Sequence, residues 1–299
     1  MQIAILGAGY VGAALAEHLV AEGHRVTVIG RRLEPLRALA SRLGESVEAR
    51  AAATTDSEAL KAALEGAERV VHLAPPPKEG VAEDDAARVC HALPRACDRL
   101  VYGSSTGVYR PPEDPEEWID EDWPAEPDSH RGEARLAYER GLADNACCPV
   151  HVVRIAGIYG PGRTLAAKVE AGELLLFEEA ARYTSRIHRD DLSRQLAAML
   201  LHPSPPPRLV ACDDLPTSTA EVATFTAALI GAPPPESVDL ETARARMSPL
   251  ALEMRMGGKR CRSLHRVEIG CDLRFPSYRE GVRQALEADG LLVSPPRSS

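Results

Sequence analysis

Short apolar runs alternate with amphipathic stretches through the first half of the chain. The strand-like runs are Ile3–Leu6, Arg25–Ile29, Arg69–Leu73, Leu100–Ser104 and Val150–Arg154, with a weaker one near residues 47–52. Helix-like stretches lie between them, near residues 11–22, 34–43, 56–65, 81–96 and 131–146. Strands that alternate with helices form parallel sheets through right-handed crossovers. The pattern predicts an α/β fold with a doubly wound parallel sheet.

The second half of the chain has a different pattern. Prolines near 203–207 and 233–235 break it into short pieces, and longer helices are predicted only at Thr219–Ile230 and Tyr278–Ala288. This half is expected to form a smaller cap region over the carboxyl edge of the sheet, where ligands of open α/β sheets bind. The predicted divisions are a sheet domain over 1–165, a cap region over 166–291 that is partly interleaved with the sheet, and a flexible tail over 292–299.

A glycine motif follows the first predicted strand directly. Gly7, Gly9 and Gly12 have the spacing G-x-G-x-x-G between an apolar run and a predicted helix. In a dinucleotide-binding turn the first glycine permits the tight turn, the second lets the backbone approach a pyrophosphate, and the third lets the helix pack closely on its strand. The pyrophosphate then meets the free N–H groups of the first helical turn, which holds Tyr10 and Val11. The motif predicts a Rossmann-type cofactor domain.

The residues after the second strand distinguish between the two nicotinamide dinucleotides. An acidic residue at this place would bind the ribose hydroxyls of NAD(H). The chain has Arg31 and Arg32 there instead, directly after Gly30. A guanidinium matches a phosphate group with two parallel hydrogen bonds. NADP(H) is therefore the predicted cofactor, and NAD(H) is the less favoured alternative.

The overall composition narrows the class of partner. The formal net charge is −9, so the chain has no broad basic field for nucleic acid or an anionic membrane. The seven cysteines include no C-x-x-C pair and no zinc-ligand spacing, so no metal site is predicted. Reduced cysteines and the lack of a basic leader favour a cytoplasmic protein with a small-molecule substrate.

The segment 113–128 has an unusual composition. Nine of its sixteen residues are acidic, and it holds both tryptophans, Trp118 and Trp123. It is too long and too acidic for a simple connection. Two interpretations remain open: a surface loop with two tucked indoles, or a lid that disfavours anionic substrates.

Four motifs in the expected order resemble the extended or atypical short-chain dehydrogenase/reductase family, also called the NAD-dependent epimerase/dehydratase superfamily. They are similar to the family's segments at the end of strand five, in the Tyr-Gly-Pro loop, in the Ile-His segment and near the C-terminus. These segments are Ser104-Ser-Thr-Gly-Val-Tyr109, Arg154-Ile-Ala-Gly-Ile-Tyr-Gly-Pro-Gly162, Arg186-Ile-His-Arg-Asp-Asp191 and Phe275-Pro-Ser-Tyr-Arg-Glu-Gly281. The resemblance covers most of the chain.

The resemblance implies roles for particular residues. Ser105, four residues before Tyr109, would hydrogen-bond the reacting oxygen, with Thr106 beside it. Further positions would line the cofactor pocket: Leu73, Ala74 and Pro75 in the loop after the fourth strand, Ser104, and Tyr159 near the nicotinamide. A small hydroxyl at Ser105 would polarise a carbonyl group.

The family's acid/base pair, Tyr-x-x-x-Lys on the next helix, is the main departure. Alignment on Gly132 and Leu136 puts Arg131 and Arg135 at those two positions. Arginine is no ordinary proton donor near neutral pH, although it can hold a phosphate or an oxyanion. Histidine is a common acid and base in enzymes, and His130 is the candidate substitute acid.

Two functions from different classes therefore remain open. The first is an NADP(H)-dependent oxidoreductase, or an epimerase/dehydratase-like enzyme, acting on a small carbonyl, hydroxyl or sugar-like substrate. The second is a catalytically quiet NADP(H)-binding regulator or sensor. Ser105 and the cap region favour the enzyme, whereas Arg131 and Arg135 favour the quiet protein. The resemblance also allows a homodimer through the helix near 131–146.

Overall fold

The computed structural model describes residues 1–77, 81–180 and 182–293. The strands are β1 Gln2–Leu6, β2 Arg25–Gly30, β3 Val47–Ala51, β4 Arg69–His72, β5 Arg99–Ser105, β6 Val150–Ile155, β7 Gly157–Tyr159, β8 Arg186–His188 and β9 Arg208–Ala211. Within the described residues, a seven-stranded parallel sheet has the order β3-β2-β1-β4-β5-β6-β9, and β7 pairs with β8 separately. The predicted fold class, an α/β Rossmann-type doubly wound sheet, is confirmed.

The helices pack on both faces of the sheet and over its carboxyl edge. They are α1 Tyr10–Ala21, α2 Leu33–Leu43, α3 Ser57–Leu64, α4 Ala82–Ala92, α5 His130–Asn145, α6 Ala166–Glu170, α7 Arg189–Leu201, α8 Thr219–Ile230, α9 Leu240–Arg246, α10 Pro249–Met256 and α11 Tyr278–Ala288. A 3₁₀ turn, Thr106–Val108, follows β5. None of the helices within the described ranges combines the length and apolar composition needed to cross a membrane.

The alternation of side chains along β1 explains how one strand supports two cores. Ile3 and Ile5 face the core formed with α1 and α7, whereas Ala4 and Leu6 face the core formed with α3, α4 and α5. Both faces of a parallel sheet are covered by helices, so its strands are apolar throughout. The sheet order reverses between β1 and β4, and this switch point opens a crevice at the carboxyl edge.

The later part of the chain builds a third apolar cluster outside the sheet. Tyr159, α6, α8 and α11 pack together there, with Val222 and Val282 in its interior. The sequence did not predict β9, which extends the main sheet beside β6, or the β7–β8 pair. The boundaries at 165 and 291 stay predictions, although β9 agrees with a cap region that is interleaved with the sheet.

The predicted flexible tail is only partly within the described residues. Leu292 packs on the third apolar cluster, and Val293 donates its backbone N–H to the Leu229 carbonyl at 3.0 Å. The rest of that tail, 294–299, lies outside the described residues.

Candidate dinucleotide and active site

The turn between β1 and α1 requires glycine at two of its positions. Gly7 has a φ of +96°, and a Cβ atom on it would lie 2.5 Å from the backbone nitrogen of Ala74. A Cβ on Gly12 would lie 2.9 Å from the Gly7 carbonyl oxygen. Gly9 is different, because a Cβ there would meet no described atom within 4 Å. The first and third glycines thus serve the packing of the turn, whereas the second faces open space.

The start of α1 has the features of an anion site. Its N-cap is Gly9, which offers no side chain, and the first turn carries no acidic residue. The first N–H groups of a helix have no partner within the helix, and they lie at its positive dipole end. A pyrophosphate above Gly9 would fit the backbone of Tyr10 and Val11 without displacing a protein group.

The end of β2 presents two free cations. Arg31 and Arg32 are exposed, and neither forms a hydrogen bond or an ion pair with the residues that the structure describes. The nearest acid along the chain, Glu34, is paired with Arg37 at 3.3 Å. The carboxyl end of β2 therefore has two exposed cations where the sequence predicts the extra phosphate of NADP(H), and that contact stays a prediction.

The loop after β4 forms the opposite wall of the crevice. Leu73 donates its N–H to the Leu6 carbonyl at 2.7 Å, and Ala74 lies directly against Gly7. Pro75 is exposed, and a proline has no N–H to donate. These three residues lie where the resemblance implies a cofactor contact, and that contact stays a prediction.

Two tyrosines expected at the cofactor use their hydroxyls elsewhere. Tyr10 donates to the Pro161 carbonyl at 2.9 Å, and burial raises its pKa. Tyr159 donates to the Ser277 carbonyl at 3.3 Å. A Cβ on Gly281 would lie 2.1 Å from the Tyr159 hydroxyl, so α11 comes very close to this ring. Neither hydroxyl lacks a partner, so a cofactor contact would use the rings or the backbone.

Unlike the hydroxyls of Tyr10 and Tyr159, the hydroxyl of Ser105 at the end of β5 still has a proton to donate. Ser105 is half-buried, and its oxygen accepts the Gly107 N–H at 3.0 Å. No acceptor for its own proton occurs among the described residues, so this hydroxyl remains able to donate. Thr106 donates weakly to the Ile155 carbonyl at 3.4 Å. Ser105 is thus a suitable donor for a substrate oxygen at this edge.

Ser104, one residue earlier, belongs to a buried charged network. It donates to Glu139, which pairs with Arg154 at 2.7 Å between Nη2 and Oε2. Arg154 also donates to the Tyr109 hydroxyl at 3.0 Å. Burial raises the pKa of Tyr109 to about 12, although Arg154 opposes the shift. The network ties β5 and β6 to α5, and the side chain of Ser104 is already engaged in it.

The start of α5 holds the three candidates that stand in for the family's acid/base pair. His130 is fully exposed, with Nδ1 3.1 Å from Glu133, and Arg131 is exposed as well. Arg135 is half-buried and donates to the Tyr102 hydroxyl at 3.1 Å and to the Gly103 carbonyl at 2.9 Å. Arg135 therefore braces β5, while His130 and Arg131 face solvent.

Close packing fixes this helix beside Ser105. A Cβ on Gly132 would lie 2.2 Å from the Gly107 carbonyl oxygen, so α5 touches the 3₁₀ turn. A cleft of about 400 Å³ opens here, between the start of α5 and α10. Its lining residues are Asp128, Ser129, His130, Arg131, Glu133, Leu250 and Glu253.

The acidic segment 113–128 is anchored to the C-terminal region. Glu121 is buried and accepts hydrogen bonds from the Val210 and Leu264 N–H groups at 2.8 and 2.9 Å. The guanidinium of Arg260 lies 4.1 Å from the ring centre of Trp118. These contacts favour the interpretation as a loop with tucked indoles over that of a lid.

Lys259 is a cation near the carboxyl edge of the sheet that the sequence did not indicate. Lys259 comes from the segment after α10, and its Nζ donates to the Thr106 carbonyl at 3.1 Å. Burial lowers its pKa, and the charges of Asp128 and Cys261 oppose that shift. Lys259 and Thr106 are 153 positions apart in the sequence, and no local pattern links them.

Comparisons with known proteins agree with this architecture. Residues 3–94 match the family model described as the saccharopine dehydrogenase NADP binding domain. No curated protein sequence matches the chain. The matched region contains the glycine turn, Arg31, Arg32 and the loop after β4, in agreement with the NADP(H) prediction.

Several solved structures resemble the whole chain. A functionally unknown conserved protein from Silicibacter pomeroyi is 27% identical, with a TM-score of 0.78 over 96% of this chain and 98% of that one. Human epimerase family protein SDR39U1 with NADPH is 18% identical, with a TM-score of 0.76 over 96% and 99%. UDP-glucuronic acid 4-epimerase from Bacillus cereus with NAD is 16% identical, with a TM-score of 0.77 over 97% and 99%. The chain therefore has the fold of these proteins, and its first third matches the model of an NADP-binding domain.

Proposed function

We propose that this chain is an NADP(H)-dependent oxidoreductase or epimerase/dehydratase-like enzyme of the extended short-chain dehydrogenase/reductase type. The observation that carries the proposal is the pair of unengaged cations, Arg31 and Arg32, beside a glycine turn with open space above Gly9. NADP(H) would lie across the switch point, with its pyrophosphate at α1 and its extra phosphate at β2. When bound, it would supply or accept a hydride.

The reaction would take place at the end of β5. Ser105 has a hydroxyl proton without a described acceptor, and the hydroxyl would form a hydrogen bond to a substrate oxygen. Arg135 would hold the end of β5 in place through the Gly103 carbonyl. The predicted role of His130 as an acid draws little support from its exposed position beside Glu133.

The charges around the edge favour an uncharged substrate. The cleft beside α5 is lined by three acidic residues together with His130 and Arg131. A second cleft of about 460 Å³ is lined by four acidic residues of the segment 113–128 and by Arg110, so acidic residues outnumber arginines in both clefts. Two solved structures with this fold hold UDP-glucose or UDP-glucuronic acid, at 22% and 16% identity. We favour a small neutral carbonyl or hydroxyl compound over such nucleotide sugars, because like charges disfavour a diphosphate here.

The test combines binding with turnover. Purified protein is titrated with NADPH by calorimetry, and then the absorbance of the reduced nicotinamide is followed with neutral aldehydes, ketones, UDP-glucose and UDP-glucuronic acid. The proposal expects stoichiometric NADPH binding and substrate-dependent oxidation by a neutral carbonyl.

The second candidate function is a quiet NADP(H)-binding protein. It is favoured by the engagement of Arg135 with β5 and by the exposure of Arg131, because neither is arranged to transfer a proton. NADPH binding without turnover across the panel would support this candidate and contradict the enzyme.

A further inference from the structure

The helix after β5 leaves the reacting end of the sheet without a buried proton donor of its own. His130 is fully exposed, Arg131 is exposed, and Arg135 is held by Tyr102 and Gly103. A proton donor for a substrate at Ser105 must therefore come from another element.

Lys259 is such a group. It lies on a short segment of the C-terminal region, 257–261, which we call the strap. The Lys259 carbonyl accepts the Ser185 N–H at 3.1 Å, and the Cys261 N–H donates to Ser185 Oγ at 2.7 Å. On the other side, the Ile119 N–H donates to the Arg260 carbonyl at 2.9 Å. The strap is thus fixed by backbone bonds on both sides, independently of the Lys259 side chain.

The Lys259 ammonium is half-buried and has few partners. Its one hydrogen bond within the described chain goes to the Thr106 carbonyl, which also accepts the Tyr109 N–H at 3.1 Å. The ammonium forms no ion pair with a carboxylate of the described residues. The charge of Asp128 raises its pKa, but from beyond ion-pair distance. An ammonium has three donors, so two are left for a ligand.

We propose that Lys259 is the proton donor and acceptor for the substrate oxygen that Ser105 holds. The inference rests on the proposed function and adds a catalytic residue to it. The bond of Nζ to the Thr106 carbonyl places the ammonium at the residue that directly follows Ser105, just beyond the carboxyl end of β5. The lowered pKa agrees with this role, because a general acid works best when its pKa is close to the working pH.

The step balances as a carbonyl reduction. When bound, NADPH would supply a hydride to the carbonyl carbon and become NADP⁺, and the π-electron pair of the C=O bond would move to the oxygen. That oxygen takes a proton from Lys259 Nζ and becomes a hydroxyl group. The neutral amine is then protonated again by water. In the oxidation of an alcohol, the same amine takes the hydroxyl proton.

A labelling experiment on the unmodified protein tests the environment of the side chain. Trace acetylation with acetic anhydride at a series of pH values, followed by peptide mass spectrometry, gives a titration midpoint for each lysine. Lys61 and Lys168 are exposed and serve as internal controls. We expect the midpoint of Lys259 to lie below theirs, and saturating NADPH to suppress its labelling alone. Equal midpoints and unchanged labelling with NADPH would overturn the proposal.

Variants then separate proton transfer from positioning. K259M is expected to bind NADPH within about twofold of wild type and to lose about 100-fold or more in turnover. K259R keeps the charge but cannot release a proton, so it should be as slow as K259M. K168M is the matched control and should be unchanged. Thermal unfolding by circular dichroism checks that each variant is folded.

The outcomes distinguish this inference from the function on which it rests. A wild-type protein that fails to bind NADPH would contradict the proposed function itself. NADPH binding together with full turnover in K259M, or rescue by K259R, would overturn only the role of Lys259.

Discussion

The two halves of the carboxyl edge are built in different ways. On the cofactor side, the glycine turn, the start of α1 and Arg31 with Arg32 all lie within the first thirty-two residues. On the proposed reaction side, the 3₁₀ turn after Ser105 contacts the start of α5 and Lys259, which lies 153 residues beyond Thr106. The first half is local in sequence, and the second is assembled by the fold. The proposed binding groups and the proposed catalytic groups therefore have separate structural origins, and mutations should separate their effects.

The largest expected effect, a loss of both stability and cofactor binding, comes from the turn itself. Gly7→Ala places a side chain at a φ of +96° and 2.5 Å from the Ala74 nitrogen. We expect the free energy of unfolding to fall by at least about 2 kcal/mol, because both strain and overlap oppose the fold. NADPH binding should be lost as well. Urea denaturation and calorimetry measure the two effects.

Gly9→Ala is the matched control for that variant. The position has a φ of −86° and open space, so its free energy of unfolding should change by less than about 1 kcal/mol. NADPH affinity should nevertheless fall, because the new methyl group would occupy the space where the pyrophosphate lies. Equal destabilisation by both substitutions would show that the two glycines do not divide packing and binding between them.

The buried network on the reaction side provides the next test. Glu139→Ala leaves Arg154, whose side chain is 4% exposed, without its carboxylate. We expect a loss of about 3–5 kcal/mol in the free energy of unfolding, because an unpaired buried charge is costly. Glu133→Ala, on the same helix but exposed, should change it by less than about 0.5 kcal/mol. A similar small value for both would contradict the structural role of the Glu139–Arg154 pair.

A smaller loss in the free energy of unfolding is expected at acidic pH. His72 is fully buried beside Tyr138, at 2.8 Å from its hydroxyl, and burial lowers its pKa to about 4 from the ordinary 6.5. Between these two pKa values, His72 is protonated in the unfolded chain and neutral in the folded chain. The free energy of unfolding is therefore not reduced by His72 above about pH 6.5, and it falls as the pH is lowered from 6.5 toward 4. Urea denaturation should give about 2 kcal/mol less stability at pH 5 than at pH 7.

The control for the pH effect is His72→Asn, in which the dependence between pH 5 and 7 should be smaller. An unchanged dependence in this variant would show that other groups cause it.

The difference between the two halves also explains what the sequence could predict. Apolar alternation and the glycine motif predicted the sheet and its crossovers, because those features depend on neighbours in the chain. The partners of Ser104 and Tyr159 could not be predicted, since Glu139 and Ser277 reach them only through tertiary packing. Lys259 stands in a stretch whose polar composition resembles any surface loop. The strap became visible only through its bonds to Ser185 and Ile119.

The central claim, that the cofactor side selects NADP(H) through two arginines, has a direct test. NADPH and NADH are titrated by calorimetry into the wild type and into the double variant Arg31→Ala, Arg32→Ala, with Arg37→Ala as the control on α2. The account predicts a wild-type preference for NADPH and a selective loss of NADPH affinity of about tenfold to 100-fold in the double variant, for two charge-assisted contacts. NADH affinity should change by less than about twofold. An equal loss for both cofactors, or a wild-type preference for NADH, would contradict it.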